Sequence, residues 1–108
     1  MKTYRIGVLG GDGIGPEVAA EAVKVLKAAQ DGYALDFIEY PFGSDRYLQT
    51  REFIPDAAMD EIRTLDAVLF GALGDPRCAP GVVERGILFK LRIDLDLYIN
   101  YRPIKLYT

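Results

Sequence analysis

Short apolar runs alternate with longer stretches of helical periodicity along this chain. Residues 4–9 (Tyr-Arg-Ile-Gly-Val-Leu) form a compact apolar run that ends at glycines, the pattern of a buried strand. Gly10 to Gly15 reads as a tight loop, and Pro16 suits the first turn of a helix, where a missing N–H costs nothing. Val18, Ala22, Val25, Leu26 and Ala29 then recur at helical spacing, which predicts a helix to about Gln30 closed by Gly32. Residues 34–40 predict a second strand, and Pro41 to Arg51 a loop with room for a short helical turn. Pro55-Asp56 opens a helix through Met59, Ile62 and Leu65. Residues 67–70 (Ala-Val-Leu-Phe) are too short and apolar for anything but a buried strand, which leaves through the loop Gly71 to Pro76. A last helix is predicted over 83–95, with Val83, Ile87, Leu88, Leu91 and Leu95 on one face, followed by a strand at about 97–106. Strands alternating with helices predict an α/β layer with mostly parallel pairing.

Composition narrows the function classes. The chain has 108 residues, half of them hydrophobic, enough for one globular core. No apolar stretch approaches a membrane span, and the N-terminal residues do not read as a signal peptide. A formal net charge of −3 with interspersed acids and bases argues against a nucleic-acid surface. The single cysteine, Cys78, excludes an internal disulfide and suits a reducing cytoplasm. Histidine is absent, so no serine–histidine or cysteine–histidine mechanism can operate within these residues, and no zinc-ligand cluster is present. The final stretch, Arg102 to Thr108, is apolar and β-favouring without a polar tail, which predicts a chain cut short within or just after a strand.

Three features carry candidate chemistry. The first is the loop with Gly11, Gly13 and Gly15. Its G-x-G-x-G spacing differs from the dinucleotide fingerprint G-x-G-x-x-G, and it lacks the lysine of a phosphate-binding loop; a tight strand–helix turn and a ligand contact fit it equally. The second is the loop Gly71-Ala72-Leu73-Gly74-Asp75-Pro76, which in a parallel sheet leaves on the same edge as the first, so the pair predicts a cleft. The third is a pair of arginines. Arg92 lies one helical turn from Leu88, and Arg102 precedes Pro103 in an extended stretch. Two guanidinium forks converging beside an apolar surface would hold a small dicarboxylic acid with a branched alkyl group. Read alone, Arg92 is better taken as a solvated helical arginine or one paired with Asp96, and Arg102 as an edge-strand arginine paired with an acid.

The segments Gly11-Asp12-Gly13-Ile14-Gly15-Pro16-Glu17-Val18, Asp66 to Gly74, and Leu91-Arg92 with Asp96 to Pro103 occur in order. As a set they resemble the N-terminal part of the β-decarboxylating dehydrogenases, which act on 3-isopropylmalate, isocitrate or tartrate/malate. The resemblance implies a three-layer α/β fold of the isocitrate/isopropylmalate dehydrogenase type, of which this chain holds a first-domain portion. Residues 1–98 would belong to the first, cofactor-side domain, and 99–108 would be a strand leading toward the second. The resemblance also implies a homodimer that oxidises and decarboxylates a 2-hydroxy dicarboxylic acid with NAD or NADP and a divalent metal, Mg2+ or Mn2+. It assigns substrate binding to Arg92, Arg102 and Leu88, and cofactor contact to Ile14 and to Gly71, Ala72, Leu73 and Gly74. No catalytic or metal-binding residue is matched here; those lie further along in the family, so the 108 residues alone should not turn over. Isocitrate enzymes carry a serine and an asparagine shortly before the first arginine, where this chain has Glu84 to Lys90 with an apolar Leu88. That favours 3-isopropylmalate, the leucine-pathway substrate, because a third carboxylate against leucine would be costly to bury. NAD as the cofactor is what the resemblance to the isopropylmalate enzymes implies, the residues that separate NAD from NADP lying downstream. Lys90 and an extra residue between Gly86 and Arg92 depart from the commonest pattern and leave tartrate or malate open. A non-catalytic interaction module is the alternative from another class.

Overall fold

A computed structural model describes residues 1–108. The elements are β1 (Lys2–Gly11), α1 (Gly15–Ala28), β2 (Tyr33–Glu39), α2 (Ser44–Thr50), α3 (Asp56–Ile62), β3 (Ala67–Ala72), a π-helix (Glu84–Phe89) and α4 (Lys90–Asp94). The three strands form one parallel sheet in the order β2-β1-β3. β1 is central: Ile6 lies opposite Phe37 on one side and Ala67 on the other, Val8 opposite Glu39 and Leu69.

The period-two alternation of β1 divides two helical layers. Leu9 is fully buried on one face, in a cluster with Met59 and Ile62 of α3, Val83, Ile87 of the π-helix and Leu91 of α4. Val8 points the other way and shares a groove with Ala19 and Ala20 of α1. Helices therefore cover both faces of the sheet, the three-layer arrangement expected of a parallel α/β unit.

α1 opens with Gly15-Pro16 and an acidic Glu17, and closes with Lys27 in its last turn, all favourable to the helix dipole. It stops two residues before the expected Gln30. The amide of Gln30 explains this: Nε2 donates to the Lys27 carbonyl and Oε1 accepts from Leu35 N–H, so the side chain ties the helix end to β2.

Three expectations need correction. The stretch 41–51, expected as loop, contains the seven-residue α2, whose sequence lacks an apolar period because only Ser44 at its start is buried. The last helix is regular only over Lys90–Asp94, the preceding six residues being a π-helix. A π-turn accommodates one residue more than an α-turn. Finally, the strand expected at 97–106 does not form. Asp96 takes a left-handed conformation (φ 55°), with Asp96 N–H donating to Ile93 O and Leu97 N–H to Arg92 O, a helix-terminating arrangement that turns the chain away. Beyond it no strand pairs with the apolar residues, and Tyr98, Ile104 and Leu106 are 84%, 93% and 88% exposed. β-favouring side chains alone do not make a strand without a ladder partner.

Gly86, in the middle of the π-helix, has a packing reason. A methyl group there would run into the ring of Phe53, which stacks on Tyr47 with centroids 4.6 Å apart. Gly86→Ala is therefore expected to destabilise by about 1–2 kcal/mol, because overpacking outweighs the gain of up to about 1 kcal/mol from replacing a helical glycine. Urea denaturation of the full-length protein checks this: an unchanged or raised midpoint contradicts the Phe53 contact.

Candidate functional site

The strand order reverses at β1, since β2 lies to one side and β3 to the other. In open α/β sheets ligands bind in the crevice outside the carboxyl ends of the strands at such a reversal. Here both glycine-containing loops leave from that edge, the first after Gly11 and the second after Ala72.

The glycines divide into two kinds. A Cβ on Gly15 or Gly71 would collide with the Gly10 carbonyl oxygen, and one on Gly71 would also strike the Gly15 backbone. These residues let the start of α1 lie directly on β1 and β3; they are spent on chain-to-chain packing. Gly13 (φ 56°) meets nothing within 4 Å, and Gly74 (φ 140°) only Glu84 Oε1 at 3.8 Å, so both face open space. Ile14 stands between them and the helix, 69% exposed. Pro16 and Glu17 make the start of α1 a poor phosphate site, since one lacks an N–H and the other is anionic. At this edge Ile14 and Gly74 present an exposed, uncharged surface, with Leu73 half-buried beside it and Gly71 and Ala72 at the end of β3.

Asp12, which sequence reasoning did not single out, holds this edge together. Its Oδ1 accepts from Ser44 N–H at 2.6 Å, and its Oδ2 accepts from Ser44 Oγ at 2.6 Å and Gly74 N–H at 3.0 Å. Its own N–H donates to Ala72 O at 2.7 Å. Farther out, Arg77 forms a second tie, bonding Asp75 in its own loop and Asp45 in the first turn of α2. No local sequence motif announces either link, because the partners lie about thirty to sixty residues apart.

The second candidate region lies on the flank of β3. A cavity of about 390 Å³ is walled by Leu65, Val68, Phe70, Leu88, Leu91, Leu95 and Leu97, with Arg63, Asp66 and Arg92 among its polar lining. Leu88 and Arg92 share it, as their spacing implies. The Arg92 guanidinium makes no hydrogen bond or ion pair, and it lies 5.5 Å from the centroid of the Phe89 ring. Asp96, offered above as its partner, does not pair with it, and Arg63 is engaged by Asp60 and Asp94. Arg102 is not brought to this wall. It sits in the exposed segment with Nε bonded to Asn100 Oδ1 at 3.1 Å, so the structure does not join the two guanidinium groups in one site. The reason is the missing strand: the residues that would carry Arg102 back have nothing to pair with.

No group of three or more His, Cys, Asp or Glu side chains is placed to hold a metal ion, and no helix is long and apolar enough to cross a membrane.

Comparison with known proteins places these features. A family model described as isocitrate/isopropylmalate dehydrogenase matches residues 5–108. A 3-isopropylmalate dehydrogenase from Mycobacterium avium (strain 104) is 53% identical over 103 residues, covering 95% of this chain and 30% of the relative. One from Thermobifida fusca (strain YX) is 48% identical over 108 residues, covering 98% and 30%. The apo crystal structure of a β-decarboxylating dehydrogenase from Thermococcus kodakarensis superposes with a TM-score of 0.66 at 40% identity, covering 88% of this chain and 27% of that one. The chain thus spans about 30% of the length of the curated relatives it matches.

The outer tie titrates in an accessible range. Hydrogen bonds from the Arg77 guanidinium, then from the Arg77 N–H, hold the Asp75 carboxyl down at about 2. A depressed carboxylate contributes its link above the ordinary range and loses it as pH falls toward that value. Carboxyl NMR of the full-length protein is expected to show Asp75 titrating near pH 2, and Arg77→Ala to raise the midpoint. A wild-type midpoint of about 4, the unperturbed value, would contradict the pairing.

Proposed function

The chain belongs to the isocitrate/isopropylmalate dehydrogenase family, and from that premise we propose that it is the N-terminal portion of an NAD-dependent 3-isopropylmalate dehydrogenase of leucine biosynthesis. The reaction would be oxidation and decarboxylation of 3-isopropylmalate to 4-methyl-2-oxopentanoate. The observation that carries the substrate assignment is the unpaired guanidinium of Arg92 beside Leu88 on one cavity wall.

In this reading Arg92 grips a substrate carboxylate through its two-pronged face. Leu88 abuts the isopropyl group and, offering no donor, disfavours a third carboxylate there. Arg102 supplies the second fork once residues 97–108 are laid against further polypeptide, from the rest of the enzyme or from the second subunit of a homodimer. Their exposed apolar side chains support such a covering. Ile14, Leu73 and Gly74, backed by Gly71 and Ala72, flank the nicotinamide, and Leu73 and Ile14 keep water from it. A bound NAD would supply the hydride acceptor for the substrate carbinol. Mg2+ or Mn2+ would take its ligands from residues outside 1–108, as would the catalytic acid and base, so residues 1–108 alone are inactive.

Steady-state assays of the full-length enzyme with NAD and 3-isopropylmalate, malate, tartrate or isocitrate test the assignment. Arg92→Ala is expected to cost about 2–4 kcal/mol in kcat/KM, the consequence of leaving a buried carboxylate half unmet. Leu88→Ala is expected to reduce the preference for 3-isopropylmalate over malate by about 1–3 kcal/mol, the range for lost apolar contact in a pocket. A wild-type preference for isocitrate, tartrate or malate overturns the substrate, and wild-type efficiency in Arg92→Ala overturns the arginine's role.

A further inference from the structure

We propose that Asp12 is a positioning residue for the dinucleotide: it does not touch the cofactor but sets the spacing of the two loops between which the cofactor lies. The proposal rests on the dehydrogenase reading above and adds to it a residue whose effect falls on one ligand and not the other.

Four features of Asp12 support this. It is 9% exposed, and it forms no ion pair, so no cationic side chain compensates its charge. All three of its side-chain partners are donors: Ser44 N–H, Ser44 Oγ–H and Gly74 N–H. The partners lie 32 and 62 positions away, at the start of α2 and in the loop after β3. Gly43 makes room for the carboxylate, since a Cβ there would lie 2.7 Å from Oδ1. A buried carboxylate held only by neutral donors is costly to desolvate, and its three bonds must offset that cost.

The carboxylate is chemically specified. An asparagine in its place has one accepting end, and its NH2 must face either Ser44 N–H or Gly74 N–H, donor against donor. With the NH2 toward Gly74, the loop after β3 loses its tie, and Gly74 borders the open edge directly. With the NH2 toward Ser44 N–H, the oxygen keeps Gly74 N–H and Ser44 Oγ, and one of the two bonds to α2 is lost. Either way one of the three bonds that set the spacing of Gly74 from Ile14, two residues beyond Asp12, is gone. Arg92 and Leu88 stand on the separate cavity beside β3, whose lining does not include Asp12.

The experiment uses the full-length enzyme and calorimetric titration with NAD, which needs no turnover, alongside the KM for 3-isopropylmalate at saturating NAD. Asp12→Asn is expected to weaken NAD binding about 10–100-fold, the equivalent of one buried donor left unmet. The substrate KM is expected to stay within about twofold, and Asp12→Asn/Ser44→Ala to be no weaker than Asp12→Asn, since the two residues share one interaction. Ser44→Ala, which keeps the Gly74 bond, is expected to weaken NAD by about 3–10-fold and serves if Asp12→Asn does not fold. Unchanged NAD affinity in a folded Asp12→Asn, or in Ser44→Ala, overturns the proposal, as does an equal loss for both ligands. A wild-type enzyme that binds NAD but does not oxidise 3-isopropylmalate defeats the substrate assignment while leaving Asp12's role standing. One that does not bind NAD at all removes both.

Discussion

The close approach of three backbones at the carboxyl end of the sheet is the constraint on which the molecule depends. The first turn of α1 rests on β1 and β3 with no side chain between them, because Gly15 and Gly71 carry none. That contact fixes the angle at which α1 leaves β1, brings the loop after β3 beside the loop after β1, and creates the crevice where the strand order reverses. Backbone contact alone would leave the two loops free to slide. The Asp12 carboxylate removes that freedom by accepting from both Ser44 and Gly74, and the chain in α2 is thereby recruited as a third support.

The apolar cluster behind the sheet performs a different task. Val83, Ile87 and Leu91 follow one another at four-residue intervals and anchor the last helical segment against Leu9, Met59 and Ile62. With these three positions buried, Leu88 and Arg92 are left on the wall of the cavity. The anchoring face and the candidate binding face of that helix meet at Leu91, which belongs to the core cluster and to the cavity wall alike.

Much of this architecture was legible in the sequence. The apolar runs at 4–9, 34–40 and 67–70 were strands because each is short and bounded by glycine or turn residues, and the parallel sheet followed from the helices between them. The two glycine loops were placed correctly on one edge. What the sequence did not disclose were interactions with distant partners. α2 offers only Tyr47 and Leu48 as half-buried apolar positions and buries only Ser44 fully, too little periodicity to mark a helix. Nothing local marks the distant partners of Asp12 or the Phe53 ring that packs against Gly86. The strand over 97–106 had the right composition, but composition does not supply a neighbour to pair with. For the same reason the two arginines, close in sequence, were not united in space.

The position of β1 in the order of the chain has a consequence for biosynthesis. Its residues precede both strands that flank them, and the pairing of Ile6 with Ala67 joins positions 61 apart, the difference of their numbers. At about 5–20 residues per second on the ribosome, that interval is about 3–12 s. Throughout it the central strand is in the nascent polypeptide with one side of its ladder unmet, a period in which a chaperone that recognises short aliphatic stretches would compete with self-association.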